Sequence, residues 1–438
     1  LFPFKIEQHV VILGPRQVGK TTMIKLWINE LISKGINPKA ILYFSCEPLS
    51  DKQEVIEMIQ TYLEFTATIH EKKFIFLDEI TQIDGWEYSI KFFIENTISK
   101  NILLIATGSN AFLLRQGTER MPGRNIHFKY LFPLSFKQYV GIFGSKELKN
   151  MLFNLKEDIL QIDLDKNTDI IGQFIPYLTE LNALLYDFMK TGGFLKAIFE
   201  NIQNGNISEE TREVYVHWIL GDLAKHNLRE LSFKGMIRGI ISTYSNKFSL
   251  NALAKNIDFA SHVTLSQYLE FSEKILLTNI LYQISFDQQT SSLRKERKVY
   301  FIDPFLFSVF NGYSKGKYED FSQEHMDKII EGLVLEALKK YFGNPFISDN
   351  PIWFYFGKKE TDFVVKSNDI YTGIEVKWQN EVSNLDFHNM HLFKTRILLT
   401  KNALQLQGNI KLIPISLFLT IIPENEKYFI IPPIINEI

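Results

Sequence analysis

The sequence predicts an α/β fold that is divided among several domains, and three observations support this prediction. Over residues 1–135, short apolar segments alternate with amphipathic helical segments, which is typical of a parallel sheet with helices on both faces. A second group of short apolar segments follows residue 350, after another amphipathic helical segment. The length of 438 residues is enough for two to four domains that each bury their own core.

The composition is that of a globular protein without an overall attraction to nucleic acid. Hydrophobic residues make up 45% and the net charge is −2, so any contact with DNA must come from a local basic patch. The single cysteine, Cys46, excludes a disulfide framework and a cysteine-based zinc site, and favours a reducing compartment such as the cytoplasm. No apolar run reaches membrane-spanning length. Because the chain begins at Leu1 rather than Met, we expect that a segment precedes it.

A glycine-rich segment directly follows the first apolar strand signal, His9–Leu13, and fits the pattern G-x-x-x-x-G-K-[ST]. Gly14 and Gly19 allow the backbone to curl so that its N–H groups point at phosphate oxygens, while the next helix directs its positive end at them. Lys20 is expected to reach the β- and γ-phosphates of ATP, and Thr21 to offer its hydroxyl to Mg²⁺. The predicted nucleotide-binding residues are Gly14, Pro15, Arg16, Gln17, Val18, Gly19, Lys20, Thr21 and Thr22.

Two acids, Asp78 and Glu79, end a second buried strand signal, residues 73–79. In P-loop enzymes an acid in the position of Asp78 holds Mg²⁺, directly or through water, and one in the position of Glu79 polarises the attacking water. The alternative is a strand that runs into an acidic helix cap. The P-loop motif itself calls for such a strand, which favours a catalytic Asp78 and Glu79.

Polar groups after a third apolar strand, residues 102–106, are candidates for sensing the γ-phosphate. Thr107 and Ser109 are about equally suited to this role. Three arginines follow, any of which could act as an arginine finger towards a neighbouring subunit of a homo-oligomer, or could be a solvated surface residue. These are Arg115, Arg120 and Arg124.

A charged strand pair near the C-terminus raises a separate question. Glu375 and Lys377 share one face of a strand, and Asp362 lies on the preceding strand, joined by a turn at residues 367–369. A hairpin could bring the three charges together. They could form a cross-strand ion pair on an exposed face, or a metal site with a catalytic lysine.

The chain resembles the archaeal and bacterial AAA-type P-loop ATPases whose C-terminal region is an uncharacterised, restriction-endonuclease-like domain. Two features depart from the usual pattern: Leu195, where a proline after GGF is usual, and a long helical stretch at 140–180. The stretches that carry the resemblance are GPRQVGKTT (14–22), FLDEITQIDGWEYSIKFF (76–93), TGSNAFLL (107–114), PGRNIHFKYLFPLSF (122–136), TGGFLKA (191–197) and TDFVV…IEVKW (361–378).

The resemblance implies a P-loop core at 1–136, a helical lid at 137–230, a winged helix at 231–312 and a restriction-endonuclease-like domain at 313–438. The pattern within the winged helix is three helices and two strands, with a basic segment, 294–298, as the wing tip that contacts DNA phosphates. Because the third helix is not basic, the module could instead bind proteins.

In restriction-endonuclease-like folds the active site consists of an acid on the first helix, an Asp and a Glu-x-Lys motif. The matching residues here are Glu331, Asp362, Glu375 and Lys377, with the three acids as Mg²⁺ ligands and Lys377 orienting the attacking water. The leading hypothesis is therefore an ATP-hydrolysing protein that acts on DNA and drives or gates a nuclease. The rival is a nucleotide-dependent regulatory switch that binds DNA or a protein partner without cutting. A third possibility is an ATPase that acts on proteins.

Overall fold

The chain folds into two compact units, Leu1–Phe132 with Lys274–Leu276, and Pro133–Glu273 with Leu277–Ile438. In the part of the chain that the structure covers, no helix is both long and apolar enough to cross a membrane. The structure, a computed structural model, describes residues 9–96, 101–109, 126–156, 158–160, 171–293, 296–319, 322, 325–382, 387, 389–406 and 408–429.

The first unit is built on a five-stranded parallel sheet in the order β2-β3-β4-β1-β5, as the α/β prediction requires. Strand β4 lies between β1 and β3, so the ends of these three strands lie side by side. The strands are β1 (His9–Leu13), β2 (Ile41–Ser45), β3 (Lys73–Asp78), β4 (Ile102–Gly108) and β5 (Ile126–Tyr130). The helices are α1 (Lys20–Ser33), α2 (Lys52–Phe65) and α3 (Trp86–Asn96).

The second unit begins with helices, as expected for residues 137–230. Leu181, Leu185 and Phe188 recur at helical spacing on α6, and all three are buried, which gives that helix its inward face. The helices are α4 (Phe136–Phe143), α5 (Lys146–Asn154), α6 (Leu178–Thr191), α7 (Leu195–Asn204) and α8 (Glu209–Lys225).

Three helices and an antiparallel strand pair follow, in the order predicted for a winged helix. The hydroxyl of Ser249 accepts from the backbone N–H of Ala252 and caps the second helix. In the strand pair, Leu281 lies opposite Lys298. The elements are α9 (Glu230–Ser242), α10 (Leu250–Asn256), α11 (His262–Lys274), β6 (Thr278–Tyr282), β7 (Ile284–Ser285), β8 (Thr290–Ser291), β9 (Arg297–Phe301) and α12 (Pro304–Lys315).

The C-terminal part holds a mixed five-stranded sheet in the order β10-β11-β12-β13-β14. The β11–β12 hairpin turns at Asn368 and Asp369, which both have positive φ, as a two-residue hairpin turn requires. Between β12 and β13 the described residues contain one 3₁₀ turn, Met390–Leu392, and residues 383–386 and 388 lie outside the described part of the chain. The elements are α13 (Met326–Phe342), β10 (Ile352–Phe356), β11 (Glu360–Ser367), β12 (Ile370–Lys377), β13 (Thr395–Thr400), β14 (Lys411–Pro414) and α14 (Ile415–Ile421).

Candidate functional sites

The phosphate-binding loop closes tightly on its own sheet. The N–H of Gly14 donates to the carbonyl of Gly108 at 3.2 Å, and a Cβ at Gly14 would lie 1.7 Å from the carbonyl oxygen of Leu131. Only glycine therefore fits at this position. Gln17 and Gly19 adopt positive φ of 61° and 102°, which curls the loop and starts α1 at Lys20.

Lys20 lies at the centre of this loop and is almost fully buried. Its Nζ donates to the carbonyls of Gly14 and Pro15, both at 3.0 Å, and lies 3.3 Å from Oε1 of Glu79. Burial lowers the pKa of Lys20, while the charges of Glu79 and Asp78 oppose this change. The ammonium has one close carboxylate partner and two neutral carbonyl partners.

Asp78 ends β3 among three hydroxyl groups. Its carboxylate accepts from Thr21 at 2.7 Å, from Thr107 at 2.5 Å and from Tyr43 at 3.2 Å. The side chains of Thr21 and Asp78 are therefore adjacent, and a hydroxyl with a carboxylate is a donor set that suits Mg²⁺. The residues present fit the predicted metal position, and Tyr43 is a neighbour that sequence reasoning missed.

Glu79 follows in a left-handed conformation with φ 56°, which turns the chain sharply at the end of β3. Its backbone N–H donates to Thr107 at 3.1 Å, and its Oε2 accepts from the hydroxyl of Ser109 at 2.8 Å. The two sensor candidates thus contact different acids, Thr107 mainly Asp78 and Ser109 the side chain of Glu79. The arginine-finger candidates, Arg115, Arg120 and Arg124, lie outside the described residues.

The C-terminal acids gather around a lysine that the sequence analysis had assigned to the wing tip. Nζ of Lys298 lies 2.8 Å from Glu331, 2.6 Å from Glu360 and 3.5 Å from Asp362, and the residue has no exposed surface. We call this group, Lys298 with Glu331, Glu360 and Asp362, the carboxylate cluster. Although burial alone lowers the pKa of Lys298, the three carboxylates raise it above its usual value.

Glu375 lies beside the carboxylate cluster, because Asp362 is opposite it in the hairpin, next to the Phe363–Ile374 pair. Only 2% of Glu375 is exposed, and its Oε1 has no hydrogen-bond partner among the described residues. Burial and the charge of Asp362 raise the pKa of Glu375 to about 9, while Lys377, half-buried two residues on, partly opposes the rise. Burial beside Asp362 therefore favours the protonated form of Glu375.

These residues do not fit the divalent metal that the restriction-endonuclease-like interpretation requires. The described residues contain no group of three or more His, Cys, Asp or Glu arranged to hold a metal ion. Glu331 and Asp362, two of the predicted ligands, pair instead with the ammonium of Lys298, and the third, Glu375, shares a hydrogen bond with Asp362. The structure places Glu331 and Asp362 around Lys298, with Glu375 beside Asp362.

The predicted basic wing tip also needs correction. Arg297 is only 8% exposed and Lys298 is fully buried, so neither can contact DNA phosphates in this structure. Arg294 and Lys295 lie outside the described residues. The sequence held two weak signals for the cluster members that were missed. Glu360 shares a strand face with Asp362 at a spacing of two, and Lys298 follows Arg297 at the start of a strand that is apolar or aromatic from Val299 on.

Comparison with protein families matches three parts of the chain. Residues 7–140 match the AAA domain family AAA_14, residues 182–316 a domain of unknown function (DUF8612), and residues 326–418 a domain of unknown function (DUF4143). The N-terminal part is thus similar to AAA domains, in agreement with its parallel sheet. No curated protein matches the chain.

Several solved structures show a distant likeness. A variant of RuvB from Thermotoga maritima is 18% identical over 62% of this chain and 81% of that one, with a TM-score of 0.28. The Aeropyrum pernix ORC1 protein in complex with DNA is 11% identical over 71% and 87%, with a TM-score of 0.32. Replication initiator DnaA, bound to AMPPCP and single-stranded DNA, is 17% identical over 61% and 83%, with a TM-score of 0.28. At TM-scores this low, the likenesses support no statement about the function of this chain.

Proposed function

We propose that the first unit binds and hydrolyses ATP. The observation that carries this proposal is the convergence of Lys20, Thr21, Asp78 and Glu79 beyond the ends of β1 and β3, the two strands on either side of β4, around a loop that only glycine can close. Thr21 and Asp78 would hold Mg²⁺, which when bound neutralises charge on the phosphate oxygens.

The contacts of Glu79 suggest how hydrolysis is controlled. Its carboxylate orients the attacking water and takes a proton from it as the water oxygen bonds to the γ-phosphorus and the bond from that phosphorus to the bridging oxygen of the departing ADP breaks. In the structure that carboxylate is held by Lys20 and by Ser109. Binding of the triphosphate draws the ammonium of Lys20 towards phosphate oxygens and frees one oxygen of Glu79 for the water.

For the second unit the geometry favours the regulatory switch over the nuclease. Two carboxylates that a nuclease needs for its metal are already paired with Lys298. We therefore propose that ATP turnover controls binding of DNA or of a protein partner, and that cutting requires a different arrangement of Lys298. The winged helix is the proposed binding module. The division into four domains, the assembly into a homo-oligomer and the arginine finger between its subunits remain predictions.

ATP hydrolysis by purified protein tests the first part of this proposal. We expect turnover in the wild type and its loss in Lys20→Ala and Glu79→Gln, with nucleotide binding retained in Glu79→Gln. The matched control is Lys34→Ala, which removes an exposed lysine directly after the same helix. Equal turnover in all four proteins would contradict the proposal.

DNA incubation tests the second part. Supercoiled and branched DNA are incubated with Mg²⁺ or Mn²⁺, with and without ATP, and binding is followed at several salt concentrations. We expect no cutting by the wild type. Cutting that is lost in Lys377→Ala would restore the nuclease hypothesis, and no DNA binding at moderate salt would leave a protein as the partner.

A further inference from the structure

We propose that Glu331, Glu360 and Asp362 form a cation site that this chain fills with its own Lys298, so that a divalent metal binds there only when Lys298 is removed. The proposal does not rest on ATP hydrolysis by the first unit. It assigns a cation site, the three acids that form it and the lysine that occupies it.

The distances place the ammonium of Lys298 where an ion shared by these three carboxylates would have to lie. Two carboxylate oxygens, from Glu331 and Glu360, lie 2.8 and 2.6 Å from Nζ, and one from Asp362 lies at 3.5 Å. A Mg²⁺ ion contacts its oxygen ligands at roughly 2.1 Å. An ion shared by these oxygens would therefore overlap the ammonium group and be repelled by its charge.

The fold holds Lys298 in this position from several sides. It lies within β9, paired with Leu281 of β6, and has no exposed surface. Tyr300, two residues on and on the same strand face, also donates a hydrogen bond to Glu331. The ammonium also lies 5.8 Å from the ring centre of Phe354. Release of Lys298 therefore requires movement of β9 itself.

Glu375 provides a second, independent sign that the cluster is built for a cation. Only 2% of this residue is exposed, its carboxyl group shares a hydrogen bond with Asp362, and Oε1 has no partner in the described part of the chain. A buried oxygen acceptor without a partner is costly, and a divalent ion held by Asp362 once Lys298 is removed would offer this oxygen a partner. One ammonium at 3.5 Å from Asp362 does not extend far enough to contact Glu375 as well.

Mn²⁺ binding to the full chain, measured without nucleotide by the electron paramagnetic resonance signal of free Mn²⁺, tests the proposal. All proteins carry Asp78→Asn so that the P-loop does not contribute. We expect no binding at the cluster in this background, one additional Mn²⁺ per chain with Lys298→Met, and loss of that ion when Asp362→Asn is added. The matched control is Lys339→Met, since Lys339 is equally buried but pairs with Glu336 rather than with the cluster acids, and its removal should create no site.

Two results would overturn the proposal. One is Mn²⁺ binding in the Asp78→Asn background that Asp362→Asn abolishes while Lys298 is present. The other is a folded Lys298→Met protein, judged by its thermal unfolding, that gains no Mn²⁺. If Lys298→Met does not fold, Mn²⁺ binding to the Asp78→Asn protein that Asp362→Asn abolishes would still overturn the proposal. In a folded variant Mn²⁺ should also raise the unfolding temperature, which it should not do in the parent.

Discussion

Two lysines of this protein lie among acids, and their surroundings give them opposite properties. Lys20 in the phosphate-binding loop has one close carboxylate, Glu79, and two backbone carbonyls, and its pKa is lowered. Lys298 has three carboxylates, and its pKa is raised. An ammonium with a single carboxylate partner, such as that of Lys20, can bind the negatively charged oxygens of a phosphate. The ammonium of Lys298 is already compensated by carboxylates and does not attract an anionic ligand. In turn it neutralises these acids, so they do not attract a metal ion.

These two lysines show that residue types alone do not define a site. Each location contains a buried lysine with acids beside it, and these are the residue types that Mg²⁺-dependent phosphate chemistry uses. At the P-loop the acids face hydroxyls that can share a metal with them. In the carboxylate cluster the acids face a fixed cation. We therefore expect the two lysines to differ in what their removal costs: activity at the first, stability at the second.

The largest expected effect is loss of catalysis in Lys20→Met. Removing a group that stabilises the charge on the transferring phosphoryl should lower kcat about 10³-fold. The unfolding free energy should change little, because burial of this lysine is only partly compensated. Steady-state ATP hydrolysis and urea unfolding measure the two quantities. An active variant, or one destabilised as much as Lys298→Met, would remove the distinction drawn between the two lysines.

The second effect is loss of stability in Lys298→Met. Removing one partner of a buried ion pair leaves uncompensated carboxylates and should cost about 3–5 kcal/mol in unfolding free energy. ATP hydrolysis per folded molecule should stay close to that of the wild type. Urea unfolding in the absence of divalent metal measures the cost, and unchanged stability would mean that the three contacts of Lys298 contribute little.

The third effect depends on pH and concerns Glu375, the acid that Lys298 does not neutralise. Its pKa is raised to about 9 in the folded protein, above the value of about 4.3 for an unfolded glutamate. Between these values the folded state binds more protons than the unfolded state, so this group reduces stability as the pH rises through that window. Glu375→Gln should therefore be more stable than the wild type at pH 8, with the difference vanishing near pH 4. Thermal unfolding across this range measures it, and a difference that grows towards acid would have the wrong sign.

The smallest effect is expected for Tyr43→Phe. The phenol donates to Asp78 at 3.2 Å, and removing a hydrogen bond of this kind typically costs about 0.5–1.5 kcal/mol. Thr21 and Thr107 still hold Asp78, so ATP hydrolysis should fall by no more than about tenfold. A loss as large as that of Lys20→Met would give Tyr43 a role beyond this hydrogen bond.

The P-loop could be predicted from the sequence because its conformation is local. Gly14, Gly19 and Lys20 lie within seven residues, and each glycine meets a backbone requirement of its own loop. The carboxylate cluster is different, because Lys298 and Glu331 are 33 residues apart and meet only when β9 packs against α13. Strand alternation placed Asp362 beside Glu375, but no local pattern shows that a lysine from another sheet fills the space between the acids.

The measurement that tests this account most directly is the number of Mn²⁺ ions bound per chain with and without a non-hydrolysable ATP analogue. It is made on the wild type, Asp78→Asn and Asp362→Asn. We predict one Mn²⁺ that requires the analogue, is lost in Asp78→Asn and is unaffected by Asp362→Asn. A Mn²⁺ ion that binds the wild type without nucleotide and is lost in Asp362→Asn would contradict the account, because it would show that the acids around Lys298 hold a metal after all.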